Sequence, residues 1–146
     1  YIYIDSEKMK THKDNEKTVK VIAGKFNSTE GPVNKHNVNP LYFDVVLNKG
    51  KIFDFNLPET HNSFIYLING EIKVGEKKHE KITSSKLVLL TKGSKLKVES
   101  LIKSNFLLIS GKPIGEKIAR GGPFVMNTKA EILEAINDYH NGTFVK

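Results

Sequence analysis

The sequence predicts an all-β fold, a closed or sandwich-like arrangement of short strands, followed by a single C-terminal helix. Short segments rich in Val, Ile, Leu, Phe and Tyr recur at roughly ten-residue spacing between glycine-containing turns. Several of them alternate apolar and polar residues, as half-buried strands do. The last part of the chain instead repeats its apolar residues at helical spacing. With 146 residues, the chain has room for one domain with a terminal extension.

The first eighteen residues are predicted to lie outside the strand-rich part. Residues 5–18 contain one large apolar residue, Met9, and this composition is typical of a linker or loop. The alternating residues Tyr1-Ile-Tyr-Ile4 before them predict a short strand. The segment lacks the basic and apolar regions of a signal peptide. It also does not begin with Met, so we expect the chain to start within a longer protein.

The central part is predicted to contain eight strands. In chain order they are 19–23, 41–47, 51–55, 63–68, 71–74, 86–91, 95–99 and 106–110. Asn69-Gly70 separates two of them and predicts a type I′ hairpin, because both central residues of that turn need positive φ. Asn48-Lys-Gly50 and Lys92-Gly93 predict further tight connections.

The C-terminal part predicts a capped amphipathic helix. Thr128 and Glu131 have the spacing of a capping box, and Gly142 is the expected end of the helix. The apolar stripe of this helix consists of Ile132, Ala135, Ile136 and Tyr139. Before the helix, three consecutive apolar residues follow a Gly/Pro-rich turn: Phe124, Val125 and Met126. We interpret them as a structural anchor that docks into a cleft, with a contribution to a ligand pocket as the alternative.

The charge of the chain is basic, but its composition argues against a nucleic-acid groove. The formal net charge is +7, and 22 of the 23 basic residues are Lys, with Arg120 as the exception. Recognition of bases and phosphates favours the guanidinium fork of Arg. The lysines are scattered, so we expect a solvated surface and no direct nucleic-acid binding. Binding through this surface is the alternative, and a steep salt dependence would support it.

The sequence also argues against a protein that depends on disulfides or thiols and against a membrane protein. The chain has no Cys, which excludes disulfides and thiol catalysis and fits a reducing compartment such as the cytoplasm or nucleus. Its apolar runs are far shorter than the ~20 residues of a membrane span. We therefore expect no membrane partner.

The histidines do not form a metal-binding motif. No two of them have the spacing that places two imidazoles on one metal ion. They are His12, His36, His61, His79 and His140. His61 stands out, because Glu59 and His61 precede a predicted strand and could meet at the rim of a barrel. They are the weak candidates for acid-base residues.

Several segments together resemble the pirin family. The most specific is the stretch from Gly111 to Ile132, with its Gly-Pro-Phe-Val-Met-Asn-Thr block, followed by Asp138-Tyr-His-Asn-Gly142. Weaker similarity extends back to Val19. The resemblance implies a bicupin of about twice this length, with two jelly-roll β-barrels and a non-haem iron in the N-terminal barrel. Members are quercetin dioxygenases in some lineages and iron-dependent nuclear regulators of Rel-type transcription factors in others.

The resemblance also implies a division of this chain. Residues 1–18 would be the interdomain linker with a short strand, and residues 19–111 the C-terminal cupin barrel of jelly-roll type. Residues 112–146 would be an extension with the anchor segment and the helix.

The metal-binding pattern of cupins can be compared with this sequence directly. Gly50, Gly70 and Gly93 fit its framing glycines. The positions of its His, His, Glu and His ligands fall, in that order, on Asn56, Pro58, Ser63 and Leu96, with Ser100 at the following Asn position. Leu and Pro side chains offer no donor, whereas non-haem iron needs imidazole and carboxylate ligands. We therefore expect no cofactor in this chain and Fe(II) in the N-terminal half.

These observations predict a metal-free, non-catalytic structural module. Its expected partners are the N-terminal cupin barrel of the same protein and transcription-factor proteins. The expected interface residues are Phe124, Val125, Met126, Ile132, Ile136 and Tyr139, and we expect self-association or swapped termini in the isolated chain. The alternative is a cupin that binds or converts a small organic ligand at its own barrel mouth, with Glu59 and His61 as acid-base residues.

Overall fold

The computed structural model describes residues 3–33, 37–75 and 80–145. His36, His79 and the first two residues of the predicted N-terminal strand lie outside this part. Two compact units are distinguished, residues 1–113 and residues 114–146. The described residues form a single 3-10 turn at Ser6–Lys8, strands β1 to β14 and one helix, α1.

The elements follow one another along the chain. The strands are β1 Thr11–Lys13, β2 Lys17–Ala23, β3 Lys25–Phe26, β4 Thr29–Glu30, β5 Leu41–Leu47, β6 Ile52–Asn56, β7 Asn62–Asn69, β8 Glu71–Val74, β9 Glu80–Thr83, β10 Lys86–Leu89, β11 Lys95–Ser100, β12 Ser104–Gly111, β13 Ala119–Gly121 and β14 Phe124–Met126. The helix α1 is Lys129–Asn141.

The first unit is a two-sheet antiparallel barrel. One sheet has the strand order β1-β2-β5-β12-β7-β10, and the other has the order β6-β11-β8-β9. Alternate residues of both sheets face a common core, whose largest fully buried side chains include Phe43, Phe53, Phe106, Ile65 and Ile72. Each such side chain contributes about 1.5–3 kcal/mol by leaving water. All eight strands predicted in the central part are present, with ends shifted by at most two residues.

The chain crosses between the two sheets four times at one end of the barrel, which we call the serine end. The crossings lie at residues 48–51, 69–71, 84–85 and 101–103. Serine hydroxyls bind the backbone there. Ser84 Oγ accepts from the Gly70 amide at 2.9 Å, and Ser104 Oγ accepts from the Glu71 amide at 3.1 Å. These bonds provide partners for backbone amides at the point where the chain leaves one sheet and joins the other.

The predicted hairpin at Asn69-Gly70 is wrong. β7 pairs with β10 and β12, whereas β8 pairs with β9 and β11, so the two strands lie in different sheets. Gly70 has φ of +100°, and a Cβ there would lie 2.6 Å from Ser104 Cα. A glycine is therefore needed at this tight corner between the two sheets. Because Asn-Gly also suits a hairpin turn, the sequence pattern did not distinguish the corner from a hairpin.

The interpretation of residues 5–18 as a loop is wrong for part of that segment. Strand β1 pairs with β2 in the six-stranded sheet, and β2 begins at Lys17. Asp14 closes the turn between them by accepting from the amides of Glu16 and Lys17 at 2.7 and 2.8 Å. The His12 ring lies edge-on to Phe26, with centroids 5.2 Å apart. Polar residues form this strand because it lies at the edge of the sheet. Tyr3 and Ile4 are not in a strand.

Besides β1, three short strands of the first unit were not predicted: β3, β4 and β9. The β3–β4 pair places Phe26 in the core, where its ring stacks on Phe53 with centroids 5.6 Å apart. β9 pairs along the whole of β8 and contributes Ile82 to the same core.

The second unit is a hairpin of β13 and β14 with α1 packed on it. The predicted helix is confirmed, because Thr128 and Glu131 form both halves of the capping box and Gly142 ends the helix in the left-handed conformation. Ile132 and Ala135 are buried. The segment 124–126 is a strand of this hairpin, and the sequence analysis did not predict a strand there.

None of the helices in the described residues has the length and hydropathy required to span a membrane.

Candidate functional site

The ends of the strands opposite the serine end form the mouth of the barrel. Here the chain connects β6 to β7, β8 to β9 and β10 to β11. The residues that match the cupin ligand positions lie in this region. Leu96 faces the interior and is 3% exposed. Ser63 is half-buried at the start of β7.

The structure places two of the ligand positions differently from the sequence pattern. Asn56 lies opposite Lys95, and Phe55 lies opposite Leu96, so Phe55 faces the interior and Asn56 faces outward. Pro58 is exposed, and the buried residue next to it is Leu57. The pattern therefore differs from the structure at Asn56 and Pro58, because spacing to a glycine does not determine which face of a strand a residue occupies.

The interior side chains at these positions do not suit a metal ion. Phe55, Leu57 and Leu96 have no donor atom, and Ser63 supplies one hydroxyl. Within residues 3–33, 37–75 and 80–145, no three His, Cys, Asp or Glu side chains lie close enough to hold a metal ion. A non-haem iron with imidazole and carboxylate ligands does not fit these residues.

His61 belongs to a buried hydrogen-bond network at the mouth. Its side chain is 7% exposed, and Nδ1 lies 3.0 Å from the Ser110 hydroxyl. Ser63 Oγ donates to Ser110 Oγ at 2.8 Å. Ser110 can accept from Ser63 and still donate its own proton to Nδ1, and a bond in that direction belongs to a neutral imidazole. The network joins the start of β7 and its preceding turn to the end of β12.

The electrostatic environment also favours the neutral form of this histidine. Burial lowers the pKa of His61, and the positive charges of Lys92 and Lys112 lower it further. Lys92 is held in place there, because its Nζ donates to the carbonyl oxygen of His61 at 3.0 Å and to Asn62 Oδ1 at 2.9 Å.

The two acid-base candidates from the sequence are not joined in the structure. Glu59 is exposed in the turn after β6, and no hydrogen bond or ion pair connects it to His61 among the described residues. The structure instead joins His61 with Ser63 through Ser110. Sequence reasoning missed Ser110, which lies 49 residues from His61, because no local pattern links them.

An open groove of about 450 Å³ lies at the mouth, between the edge of the six-stranded sheet and the four-stranded sheet. Leu57, Ile82 and Leu96 line its inner part. Val88 and Leu90 of the edge region continue the apolar lining.

The six-stranded sheet carries an exposed apolar surface on its outer side, which we call the outer face. It consists of Tyr66, Ile68, Leu87 and Leu89. Leu87 is 57% exposed and Leu89 is 77% exposed, although both lie in the edge strand β10. Leu87 lies directly opposite Tyr66, so these side chains share one surface.

The interface residues expected from the sequence all lie in the second unit. Phe124, Met126 and Ile136 are half-buried, and Ile132 is buried. Val125 and Tyr139 are exposed. The Phe124 ring lies 6.1 Å from that of Tyr139 and 5.2 Å from that of Phe144. Most of this apolar stripe is therefore used within the hairpin and helix.

Comparisons with known proteins agree with these features. A family model described as the Pirin C-terminal cupin domain matches residues 42–145. A pirin-like protein of Caulobacter vibrioides is 34% identical over 128 residues, which are 87% of this chain and 45% of that protein. Pirin of Homo sapiens is 35% identical over 127 residues, which are 85% of this chain and 43% of that protein.

The same fold is present in solved structures. A crystal structure of quercetin 2,3-dioxygenase from Acinetobacter baumannii matches with a TM-score of 0.83 and 28% identity, over 97% of this chain and 49% of that one. The chain thus spans about half the length of these relatives. The family match and the relatives confirm the predicted cupin fold with one C-terminal helix, and this chain belongs to the pirin family as a C-terminal cupin domain.

Proposed function

We propose that this chain is the metal-free barrel of a pirin-like bicupin and that it supports an iron-containing N-terminal barrel of the same protein. The observation that carries the proposal is Leu96. It matches a histidine position of the cupin metal pattern, yet it is buried in the apolar core together with Leu57. A barrel that is filled by apolar side chains serves as a packed structural body.

The outer face supports a role in packing against a second domain. Exposed apolar side chains that lie side by side on a sheet usually mark an interaction surface. Tyr66, Ile68, Leu87 and Leu89 form such a surface on the first unit. We propose that the N-terminal half covers the outer face, because the chain spans about half the length of its relatives.

The activity of the whole protein is proposed to reside outside this chain. It would be a quercetin-dioxygenase-like reaction, or the regulation of transcription factors that the pirin resemblance implies, in the cytoplasm or nucleus. Fe(II) would be held by the N-terminal barrel. Protein partners would contact this chain at its surface, and no direct contact with nucleic acid is proposed.

An enzymatic role of this barrel has less support. Proton transfer between Glu59 and His61 requires the two side chains to share a substrate, whereas Glu59 is exposed and His61 is committed to Ser110. His12 lies 3.4 Å from Asp14, but these two residues belong to β1 and the turn between β1 and β2 and do not line the groove at the mouth.

Metal analysis of the untagged protein tests the proposal. The protein would be incubated with Fe(II), Ni(II) or Zn(II) under anaerobic conditions, desalted and analysed by mass spectrometry for bound metal. We expect less than about one ion per ten chains, because the interior side chains among the described residues offer no set of nitrogen and carboxylate donors.

A hexahistidine-tagged preparation is the positive control, since its tag retains Ni(II) in the same procedure. One iron ion retained per untagged chain would contradict the proposal.

A further inference from the structure

We propose that the groove at the barrel mouth binds a small apolar molecule that carries an amine. This site is independent of the proposed support of a second barrel. Its volume of about 450 Å³ lies in the range of about 300–1,000 Å³ that is usual for small-molecule sites.

The inner wall of the groove is apolar and belongs to the core of the barrel. Leu57 and Leu96 are buried beside it, and Ile82 of β9 is 8% exposed. Val88 and Leu90 pack against the same core from the other sheet. A hydrocarbon chain or a single aromatic ring that entered here would exchange water for these side chains, which is the main favourable contribution to such binding.

One acidic residue, Glu80, borders the groove and is exposed. Glu80 lies directly opposite Val74 in the pairing of β8 with β9. Directly opposite residues have their side chains on the same face of a sheet, and Val74 packs against the core. Glu80 therefore stands on the interior side of its sheet, at the rim of the groove.

The carboxylate of Glu80 forms no ion pair with any residue in the described ranges. A cationic group at the rim would therefore find an available counter-charge, and an apolar body behind it would occupy the groove. This charge complementarity determines the proposed class of ligand.

Two lysines also border the groove, and their placement is different. Lys95 and Lys97 alternate with Leu96 along β11. Because Leu96 faces the interior, alternation directs the side chains of its two neighbours to the opposite face of the sheet. The carbonyl oxygen of Lys97 accepts from the Gly75 amide at 3.0 Å, and both residues border the groove.

Three probes of equal shape and different charge test this proposal: 4-phenylbutylamine, 4-phenylbutan-1-ol and 4-phenylbutanoate. Each would be titrated into the full 146-residue chain with labelled Leu, Ile and Val methyl groups, at pH 7.5, and followed by nuclear magnetic resonance. We expect the methyl signals of Leu57, Ile82 and Leu96 to shift with the amine. We expect the dissociation constant of the amine to be about fivefold lower than that of the alcohol, because a rim ion pair contributes at most modestly.

Glu80→Gln is the informative variant and Glu99→Gln is its matched control. Glu99 lies in β11 next to the inward residue Val98, so it faces outward, where its carboxylate lies 3.9 Å from Lys73 Nζ. We expect E80Q to bind the amine and the alcohol equally and E99Q to keep the fivefold preference. The alcohol should shift the same methyl signals in both variants, which shows that the groove is intact.

Three results would overturn the proposal. Tighter binding of the carboxylate than of the amine would mean that the lysines determine the ligand charge. Equal amine binding by E80Q and E99Q would remove the role of Glu80. A lack of methyl shifts with all three probes at millimolar concentration would show that the groove binds no such ligand.

Discussion

Three parts of the chain create the environment of His61: the turn before β7, the end of β12, and Lys92 between β10 and β11. Ser110 contacts Nδ1, and Lys92 binds the carbonyl oxygen of the same histidine. A neutral ring fits both contacts, whereas a protonated ring would face Lys92 and would require the Ser110 hydroxyl to reverse its hydrogen bond. His61 is therefore a structural residue that joins loops at the mouth.

His61 should make the stability of the protein depend on pH. Its pKa is lower in the folded chain than the ordinary value of 6.5, because of burial and the nearby lysine charges. Between these two pKa values the unfolded chain binds a proton that the folded chain does not bind. The stabilising contribution is therefore complete above about pH 6.5 and is lost as the pH falls towards the folded value. Urea unfolding of wild type and His61→Gln between pH 5 and pH 8 measures this difference.

The variant His12→Gln is the control for this measurement. His12 is partly exposed and lies 3.4 Å from Asp14, so its removal leaves the network of His61 intact. We expect H12Q to keep the loss of stability below pH 6.5 and H61Q to lose the part that belongs to His61. Parallel pH profiles of wild type and H61Q would show that the folded and unfolded pKa values of His61 are the same.

At the scale of elements, serine side chains link the crossings between the two sheets at the serine end. Serine hydroxyls at or next to one crossing bind backbone groups at or next to another. Ser84 contacts Gly70, and Ser104 contacts Glu71. Ser100 donates to the carbonyl oxygens of Leu47 and Ile102. The crossings therefore depend on one another, although they lie far apart in sequence.

Gly70→Ala should be the most destabilising of three glycine substitutions in the barrel. A methyl group at Gly70 would combine a φ of +100° with a 2.6 Å approach to Ser104 Cα, which is backbone and cannot rotate away. We expect a loss of about 3 kcal/mol in the free energy of unfolding. Chemical denaturation of the three purified variants measures it.

Substitution of two other glycines separates backbone strain from steric contact as causes of the lost stability. Gly50 has φ of +72°, and a Cβ at this position would meet no other atom within 4 Å, so G50A should cost about 1 kcal/mol from backbone strain alone. Gly93 has neither feature, and G93A should change stability by less than about 0.5 kcal/mol. If G70A is no more destabilising than G50A, the corner between β7 and β8 is not tight.

Secondary structure was predictable where apolar residues determine it. The strands 41–47 and 71–74 agree with β5 and β8 at both ends, because their alternating or consecutive apolar residues lie in a buried sheet. The capping box of α1 is a local pattern and was equally readable. β1 was not predicted, because an edge strand of polar residues is stabilised by pairing with β2 and has no signal of its own.

At the scale of the whole molecule, the sequence was sufficient for the fold class and the family. It was insufficient for the candidate site, because the way the strands pair determines which face of a sheet each residue occupies and which distant residues come into contact. Spacing alone assigned Asn56 to an interior position that Phe55 and Leu57 occupy. Glu80 of the groove lies in a strand that was not predicted, and Leu87 and Leu89 were assigned to a strand without an indication that they are exposed.

The outer face leads to a prediction about assembly. We expect the isolated chain to self-associate as its concentration rises, because Tyr66, Ile68, Leu87 and Leu89 gain free energy when they leave water. The double substitution Leu87→Ser with Leu89→Ser should keep the protein monomeric, since it removes the two most exposed side chains of that face. Sedimentation velocity from micromolar to millimolar concentration measures the association.

Two control variants identify the surface that is responsible. Leu133→Ser replaces a leucine of α1 that is 63% exposed, and it should associate like wild type because that side chain lies outside the outer face. Val125→Ser with Tyr139→Ser alters the exposed part of the interface expected from the sequence. If this second pair abolishes association and the β10 pair does not, the second unit carries the contact and the outer face has another use. A wild-type protein that is monomeric at every concentration would contradict both assignments, because neither apolar surface would then be strong enough to bind a copy of itself.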